Sequence, residues 1–347
     1  MKIQPNRLKE AAIHILTGLN ATADEAALTA DSLIRAEMRG TDTHGVVYLK
    51  LLANRIDARM VNLPTQLKVI REDMATGLID GGNGLGQVAA HRAMTMGIEK
   101  AQRCGVGCCL VRNTNNIGFL GFYTMMAAEK GMVGIIMTNA AAAMSPWGGT
   151  EAFFGTNPLS IAVPGNSKEA AIVLDMSSSL VARGKIRRAH KLKESIPLGW
   201  AFDETGSPTT DPAAALKGTL APMGGPKGYG LALMVDVLAG MLSGSKYGPW
   251  VKTFHQPAGP TGVGACCLAI DVERFMPVEA FKGLVRSYAE SIRGSKKAKG
   301  VSRIYLPGEI ESEKERASSR EGIEINADTA KHLNQLLEKI KSPLRLT

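Results

Sequence analysis

Val106-Gly-Cys-Cys-Leu-Val-Arg112 is an apolar run of strand length, and Met132-Val-Gly-Ile-Ile-Met-Thr138 is a second run of the same kind. The intervening residues 119–130 have the length and pattern of one helix. Short apolar runs bounded by turn residues predict buried strands, and strands separated by single helices predict an α/β layered core. Outward from this stretch, the same patterns predict strands at 67–71, 75–80, 171–175 and 265–271, and helices at 87–104 and 278–293.

Both ends of the chain are predicted to be helical. Thr22-Ala-Asp-Glu25 has the form of a capping box, and the periodic stretch behind it ends near Gly40. A second helix is predicted at 46–60 and a last one at 328–341, which the charged segment 309–320 precedes.

The middle of the chain, residues 140–226, is rich in Gly, Pro and Ser and low in helical periodicity. Such a composition predicts loops, and we interpret them as ligand-binding loops. A helix is predicted to open at Lys227 and to continue to about Gly240.

Length and composition are those of an ordinary globular protein. The 347 residues allow two or three cooperating domains, with 45% hydrophobic and 21% charged residues. The net charge of +9 comes largely from residues 183–193 and 293–303. Because no recognition motif accompanies this charge and aromatic residues are scarce, we expect no nucleic-acid partner. The excess is interpreted as solvated loops and attraction for a phosphate-bearing cofactor and a carboxylate substrate.

The five cysteines predict buried, reduced thiols in a reducing compartment. A metal site is not expected, because the sequence has no Cys-x-x-Cys pair and neighbouring strand residues point to opposite faces. The first six residues hold no apolar leader segment, and no run reaches membrane-spanning length. We therefore expect a cytoplasmic protein without a membrane partner.

Asp80-Gly-Gly-Asn-Gly-Leu-Gly-Gln87 lies between a predicted strand and a predicted helix, where a dinucleotide-binding loop would belong. Its glycines are spaced Gly-x-Gly-x-Gly, without the helix-packing glycine of the Rossmann fingerprint. The next strand also ends in Arg112 and not in the acidic residue that would bind a ribose. We therefore interpret this segment as a tight turn followed by a helix start.

Eight segments, in order and spanning nearly the whole chain, resemble one family, the type-2 malate/L-lactate dehydrogenases. That family also includes ureidoglycolate and sulfolactate dehydrogenases, diketogulonate reductase and piperideine/pyrroline-carboxylate reductases. The segments are Arg39-Gly-Thr-Asp-Thr-His-Gly45, Pro146-Trp-Gly-Gly149, Phe154-Gly-Thr-Asn-Pro-Leu159, Leu174-Asp-Met-Ser-Ser178, Ala182-Arg-Gly-Lys-Ile186, Pro208-Thr-Thr-Asp-Pro212, Pro226-Lys-Gly-Tyr-Gly-Leu231 and Tyr305-Leu-Pro-Gly-Glu309.

The resemblance implies an α/β fold peculiar to this family, in which NAD or NADP lies against a mixed sheet without a Rossmann loop. It also implies a homodimer whose active sites are completed near the subunit interface. On this basis we expect a helical domain from residues 1–65 with 310–347, an α/β core from 66–115 with 230–309, and a cofactor-binding region at 116–229.

His44 is the predicted catalytic acid and base. It lies in a break between two predicted helices, and an imidazole that titrates near neutrality can give and retake the proton that hydride transfer requires. A structural, hydrogen-bonded histidine is the alternative. The family's other histidine is replaced by Asn116, which can orient a carbonyl but cannot exchange a proton. Several relatives carry an arginine where this chain has Tyr48, so the predicted substrate contact there is uncharged.

The resemblance assigns cofactor contacts to Asp175-Met-Ser177, Lys227-Gly228 and Gly308-Glu309, and to Ala140, which replaces a serine of relatives. The residues are Ala140, Asp175, Met176, Ser177, Lys227, Gly228, Gly308 and Glu309. Turn formation, a solvated lysine and an ordinary loop are the alternatives. Asn157 is either a turn former or a substrate-facing amide.

These residues predict hydride transfer between a nicotinamide cofactor and a small 2-oxo or 2-hydroxy acid similar to malate, lactate or ureidoglycolate. The alternatives are a cyclic imino acid reductase, a relative that binds ligands with impaired catalysis, and, from charge alone, a nucleic-acid binder.

Overall fold

The computed structural model describes residues 1–165, 170–255 and 259–346. Its strands, in chain order, are β1 (Lys2–Ile3), β2 (Lys68–Glu72), β3 (Thr76–Asp80), β4 (Val106–Thr114), β5 (Met132–Thr138), β6 (Leu159–Pro164), β7 (Ala170–Met176), β8 (Ala201–Phe202), β9 (Thr219–Leu220), β10 (Val263–Asp271) and β11 (Ile323–Glu324). Its helices are α1 (Pro5–Gly18), α2 (Ala23–Met38), α3 (Tyr48–Asp57), α4 (Gly86–Cys104), α5 (Gly121–Glu129), α6 (Arg183–Leu192), α7 (Pro212–Lys217), α8 (Pro226–Val235), α9 (Val278–Gly294), α10 (Glu309–Glu321) and α11 (Ala327–Lys339).

A mixed sheet of seven strands forms the centre, in the order β2-β3-β4-β10-β5-β6-β7. Only β3 and β4 pair in parallel among these described strands, and the other neighbours are antiparallel. The predicted α/β class is therefore confirmed. The strands and helices that the sequence predicted lie within a few residues of their expected bounds.

The charged segment 309–320 forms helix α10. One expectation was wrong. The middle of the chain contains helices α6 and α7, although its Gly and Pro content predicted loops. Helix α6 carries only two buried residues, Ile186 and Ala189, so its apolar periodicity is weak in the sequence.

Alternation along the strands separates the two faces of the sheet. Cys109, Val111 and Cys267 lie in the core beneath α4 and α5. Cys266 lies on the opposite face with Val235 of α8. The strand cysteines therefore point to opposite faces as predicted, and every cysteine is a free thiol, although Cys104 is exposed and Cys108 is half-buried.

The N- and C-terminal helices share a second core. Leu8, Leu33, Leu49 and Leu337 belong to one buried cluster, so α1, α2, α3 and α11 pack together. The predicted capping box is present at the start of α2, where the Glu25 side chain accepts the Thr22 N–H at 2.8 Å. This cluster fixes the end of α2, from which the chain enters the site.

The glycine-rich segment after β3 is a turn, as the sequence predicted. Gly84 N–H donates to the Gly81 carbonyl at 2.9 Å, Gly82 has a φ of 56°, and α4 begins at Gly86. A side-chain carbon added at Gly86 would lie 2.2 Å from the Asn116 carbonyl oxygen, so glycine is required by close packing of the two backbones. Throughout the described chain, no helix combines the length and the apolar character that crossing a membrane requires.

Candidate active site

A cavity of about 1140 Å³ lies where the loop after α2, the end of β7 and the start of α6 meet. Its walls include residues drawn from the described segments 41–51, 116–120, 140–143, 173–177, 182–187, 253–255 and 305–311. Eight of the predicted site residues line it: His44, Tyr48, Asn116, Ala140, Asp175, Met176, Ser177 and Gly308.

His44 ends a short 3-10 turn, Asp42–His44, between α2 and α3. The Thr43 hydroxyl lies 3.1 Å from His44 Nδ1, which fixes one ring nitrogen and leaves Nε2 for exchange with a ligand. The side chain is half-buried, and desolvation lowers its pKa while the nearby Asp42 charge raises it. The neutral imidazole, which can accept a proton, is therefore favoured.

Glu37 supports the loop that carries His44, and the sequence reasoning missed it. Its Oε1 accepts the Val46 N–H at 2.8 Å, and a side-chain carbon added at Gly45 would lie 2.1 Å from the same oxygen. Burial is the main cause that raises the pKa of this carboxyl to about 7; the Val46 hydrogen bond lowers it and Asp42 raises it. An acidic residue two positions before the Arg39-to-Gly45 segment was the available signal.

Tyr48 is held as a neutral phenol in the wall. Its ring stacks on Phe254 with centroids 4.8 Å apart, and its hydroxyl donates to the Asn116 carbonyl at 3.4 Å. Burial raises the pKa of Tyr48 well above its usual value. The guanidinium of Arg55 lies 4.7 Å from the Phe254 ring centroid on this stack. Tyr48 therefore supplies shape to the cavity and no charge.

Asn116 holds the adjoining loop. Its amide oxygen accepts the Gly118 N–H at 2.8 Å, which leaves the amide nitrogen as the group that can donate to a ligand. The side chain can orient an oxygen atom but cannot take up its proton.

Asp175 is the carboxyl at the end of β7. Its Oδ2 accepts the Gly121 N–H at 2.7 Å. The side chain is exposed to the cavity, but surrounding protein removes much of its hydration. This desolvation is the main cause that raises its pKa to about 6; the Gly121 hydrogen bond and Arg39 oppose it.

Arg39 also lines the cavity, although the sequence reasoning gave it no role. Its Nη1 binds Glu315 of α10 at 2.6 Å, and its buried Nε has no hydrogen-bond partner within the described parts of the chain. The pairing with Glu315 anchors α10 beside the predicted cofactor segment.

The cavity lining, as far as the chain is described, does not include four predicted residues: Asn157, Lys227, Gly228 and Glu309. Asn157 is fully buried, accepts the Ala140 N–H at 3.0 Å and donates to the Ala232 carbonyl at 2.8 Å. It thus holds a cavity-lining backbone in place. Glu309 is paired with Arg303, and its Oε2 accepts the Leu306 N–H at 3.0 Å.

Lys227 is exposed near the start of α8. Its neighbour Gly228 packs on the segment that follows Ser177, since a side-chain carbon at Gly228 would lie 2.8 Å from the Ser178 carbonyl oxygen. This end of α8 is therefore adjacent to the predicted cofactor segment without lining the cavity.

Besides Arg39, three more of the described cavity residues carry positive or titratable nitrogen and had no predicted role: Arg183, Arg187 and His255. Arg187 Nη1 lies 3.1 Å from His255 Nε2. For the two arginines the sequence signal was the basic stretch that begins at Arg183, which was interpreted as solvated loops and attraction for a phosphate-bearing cofactor and a carboxylate substrate, without a role for any single residue. No cluster of three His, Cys, Asp or Glu side chains suited to a metal occurs within the residues described.

The comparisons with known proteins agree over nearly the whole chain. A family model described as malate/L-lactate dehydrogenase matches residues 3–334. A malate dehydrogenase of Pyrococcus horikoshii is 37% identical, with 98% of this chain and 96% of that protein covered. The ureidoglycolate dehydrogenase (NAD(+)) of Escherichia coli K12 is 32% identical, with 96% and 95% covered.

A solved structure gives the same result. The sulfolactate dehydrogenase of Methanocaldococcus jannaschii superposes with a TM-score of 0.93 at 37% identity and covers 99% of this chain and 98% of that one. Fold and relatives together define an NAD(P)-dependent oxidoreductase that acts on CH–OH groups, which confirms the predicted enzyme class and cofactor type. Within that class, the chain belongs to the malate/L-lactate dehydrogenase family.

Proposed function

We propose that this protein transfers hydride between NAD(H) or NADP(H) and a small 2-oxo or 2-hydroxy acid, with His44 as proton donor and acceptor. The observation that carries the proposal is that His44 and the predicted cofactor segment Asp175–Ser177 line the same cavity. Malate, lactate and ureidoglycolate represent the substrate type.

The residues present fit a dinucleotide. The cavity exceeds the roughly 300–1,000 Å³ of ordinary small-molecule pockets, as a cofactor with a substrate requires. Its lining combines apolar surface with polar groups, among them the Arg39 Nε, which has no hydrogen-bond partner within the described chain. Ala140, the 175–177 segment and Gly308 would hold the cofactor against the sheet edge at β7, without a Rossmann loop. Lys227, Gly228 and Glu309 would support the rim of that site.

The cofactor supplies the hydride when bound, and the chain's own residues manage the proton and the orientation. In oxidation of a hydroxy acid, neutral His44 accepts the hydroxyl proton at Nε2, since Nδ1 faces the Thr43 hydroxyl. In reduction, the protonated ring returns it. The amide nitrogen of Asn116 donates a hydrogen bond to the reacting oxygen and orients it. The lowered pKa of His44 favours the base form, which suits oxidation near neutral pH.

The replacement of the family's usual histidine by Asn116 keeps alternatives open. A cyclic imino acid, such as pyrroline- or piperideine-2-carboxylate, is one alternative substrate. A ligand-binding relative with impaired catalysis is another. Asn116 motivates both, because the position cannot exchange a proton.

Fluorescence titration with NADH and NADPH tests cofactor binding and measures the preference between the two. Turnover is then measured with each cofactor on 2-oxo acids and cyclic imino acids. Reduction of a 2-oxo acid with a saturable rate supports the proposal. Turnover restricted to imino acids supports the cyclic imino acid reductase. Cofactor binding without turnover on either class of acid supports the ligand-binding relative with impaired catalysis.

We also propose a homodimer, supported by an uncovered apolar helix. Helix α9 is described throughout, and Ala289 alone of its 17 residues is buried. Leu284 and Tyr288 on it are 59% and 67% exposed. Surfaces of this kind favour protein contact. The three-part domain division, the cytoplasmic location and a metal-independent reaction stay predictions.

A further inference from the structure

We infer that Arg183, Arg187 and His255 form an anion subsite that binds a second acidic group of the substrate. The preferred substrates would then carry two acidic groups, one beside the reacting carbon and one remote from it. This inference rests on the proposed function, because it takes the reacting carbon to lie at His44.

The first wall of this anion subsite is helix α6. Arg183 and Arg187 are four residues apart, so their side chains share one face of the helix. Gly184 allows that helix to pack against the loop that carries His44, since a side-chain carbon added at Gly184 would lie 3.2 Å from Thr43 Cγ2. Thr43 in turn contacts the His44 ring at 3.1 Å. The start of α6, which carries the two arginines, is therefore connected to His44 through a single residue, Thr43.

The second wall is the segment that contains His255. Arg187 Nη1 lies 3.1 Å from His255 Nε2, and the preceding residue, Phe254, stacks on Tyr48 of α3. Tyr48 is four residues beyond His44. A closed ring of contacts therefore runs from the catalytic loop through α6 and His255 and back through α3.

The cations in this ring lack acidic partners. Among the residues that the structure describes, neither Arg183 nor Arg187 forms an ion pair with a carboxylate; Arg183 Nη2 instead donates to the Leu216 carbonyl at 2.6 Å. Burial and, next, the Arg187 charge lower the pKa of Arg183. Burial and both arginines likewise lower the pKa of His255, which keeps its ring neutral and able to accept from Arg187. An incoming anion would relieve this crowding of positive charge.

The position of the subsite complements Tyr48. Tyr48 supplies no positive charge, whereas a guanidinium binds a carboxylate or sulfonate through two N–H groups. The positive charge that Tyr48 does not supply is present on α6 in the same cavity lining. A substrate held at His44 by its reacting end would thus meet the arginines with its remote acidic group.

A phosphate of NADP is the other possible anion. We assign the anion to the substrate, because the residues of the subsite contact the loop that carries His44 and, through Phe254, helix α3. The predicted cofactor segment, Asp175–Ser177, takes no part in that ring. The experiment separates the two sources.

Arg187→Gln and His255→Gln are compared with the control Arg188→Gln, an exposed neighbour on α6 outside the cavity lining. KM and kcat are measured for oxaloacetate, which has two carboxylates, and for pyruvate, which has one, with NADH and with NADPH. Arg187→Gln should raise KM for oxaloacetate by roughly ten-fold or more, the loss expected for a charged hydrogen bond, while KM for pyruvate changes by less than about two-fold. His255→Gln should cause a smaller rise, and Arg188→Gln none. An equal change for both acids, or a loss confined to NADPH affinity, would overturn the inference.

Malonate binding, measured by calorimetry on the full chain with and without NADH, separates this inference from the proposed function. Malonate is a dianion that cannot be reduced. If the wild type binds malonate and Arg187→Gln does not, the anion subsite stands even when no 2-oxo acid turns over. If turnover is present but malonate affinity and the two KM values are unchanged in Arg187→Gln, the proposed function stands and the subsite does not.

Discussion

Glu37 Oε1 accepts a 2.8 Å hydrogen bond from the backbone N–H of Val46, two residues beyond His44. A carboxyl at the end of α2 thus holds the loop that carries the predicted proton donor. Gly45 is pressed against the same carboxyl, so the loop has little freedom to move away from it. The protonation state of Glu37 is therefore linked to the stability of the loop that carries His44.

Glu37→Gln should reduce the loss of stability as pH rises. The folded pKa is about 7, above the ordinary 4.5, so the favourable contribution is complete below pH 4.5 and is lost as pH rises through 7. Gln keeps the acceptor for Val46 and never ionises. As pH rises from 5 to 8, the free energy of unfolding of the variant should therefore increase by roughly 2 kcal/mol relative to that of the wild type. Urea unfolding at both pH values measures this difference.

Asp175 and His44 titrate in both proteins, so their contributions cancel in the comparison. A difference in unfolding free energy that is equal at pH 5 and pH 8 would show that Glu37 is ionised throughout.

His44→Asn should lower kcat by roughly two to four orders of magnitude, the usual contribution of a positioned general acid or base. The affinity for NADH should not change, because the proposal places the imidazole against the substrate and not against the predicted cofactor segment. The wild-type pH profile should contain a limb below 6.5, since burial lowers the His44 pKa, and the variant should lack it. Near-normal turnover in the variant would make His44 structural.

Asn116→His restores the residue that relatives commonly carry. If Asn116 only orients the substrate, this change should alter substrate preference more than it rescues the rate of the His44→Asn protein. Both variants are assayed on malate and lactate. A many-fold gain on those substrates, together with an active His44→Asn protein, would move the acid/base role to position 116.

Gly308→Ala should destabilise the protein and weaken cofactor binding. Gly308 has a φ of 84°, and a side-chain carbon there would lie 2.8 Å from the Val173 carbonyl oxygen of β7. The left-handed backbone alone costs roughly 1–2 kcal/mol for alanine. Thermal unfolding and NADH titration measure the two effects. The control is Gly230→Ala in α8, where an added side-chain carbon would meet no described atom within 4 Å outside the helix's own backbone, and where alanine favours the helix. Equal behaviour of the two variants would contradict the argument.

Lys227→Ala should weaken cofactor binding by roughly 1–3 kcal/mol if the ammonium holds a charged group. Lys227 lies at the helix start that packs on the segment after Ser177. Fluorescence titration measures the dissociation constant. Lys331→Ala, an exposed lysine on α11, is the matched control. An unchanged dissociation constant would remove Lys227 from the cofactor site.

Leu284→Arg should convert a dimer into a monomer, because it places a charge in the exposed apolar face of α9. Light scattering should give about twice the chain mass of 36.8 kDa for the wild type and the single mass for the variant. Glu290→Arg, on the opposite side of the helix, should remain dimeric. A wild-type protein that is active as a monomer would refute the dimer.

Local sequence patterns determined the elements of this fold. The capping box at Thr22 and Glu25 and the alternating strands β4, β5 and β10 follow from hydrogen bonding and side-chain periodicity over a few residues. Family resemblance led to His44, Asn116 and the segment 175–177, which the structure brings to one cavity. Helix α6 escaped prediction because it buries only Ile186 and Ala189.

The tertiary structure alone decided which charges and polar groups meet. Glu37 and Val46 are joined through the turn that follows α2, and Arg187 reaches His255 across 68 residues. Asn157, equally consistent with a turn or a ligand contact in sequence, is buried between Ala140 and Ala232. Pairings of this kind depend on how whole elements pack, and burial then sets the pKa values. A local sequence pattern therefore predicts neither these pairings nor the pKa values.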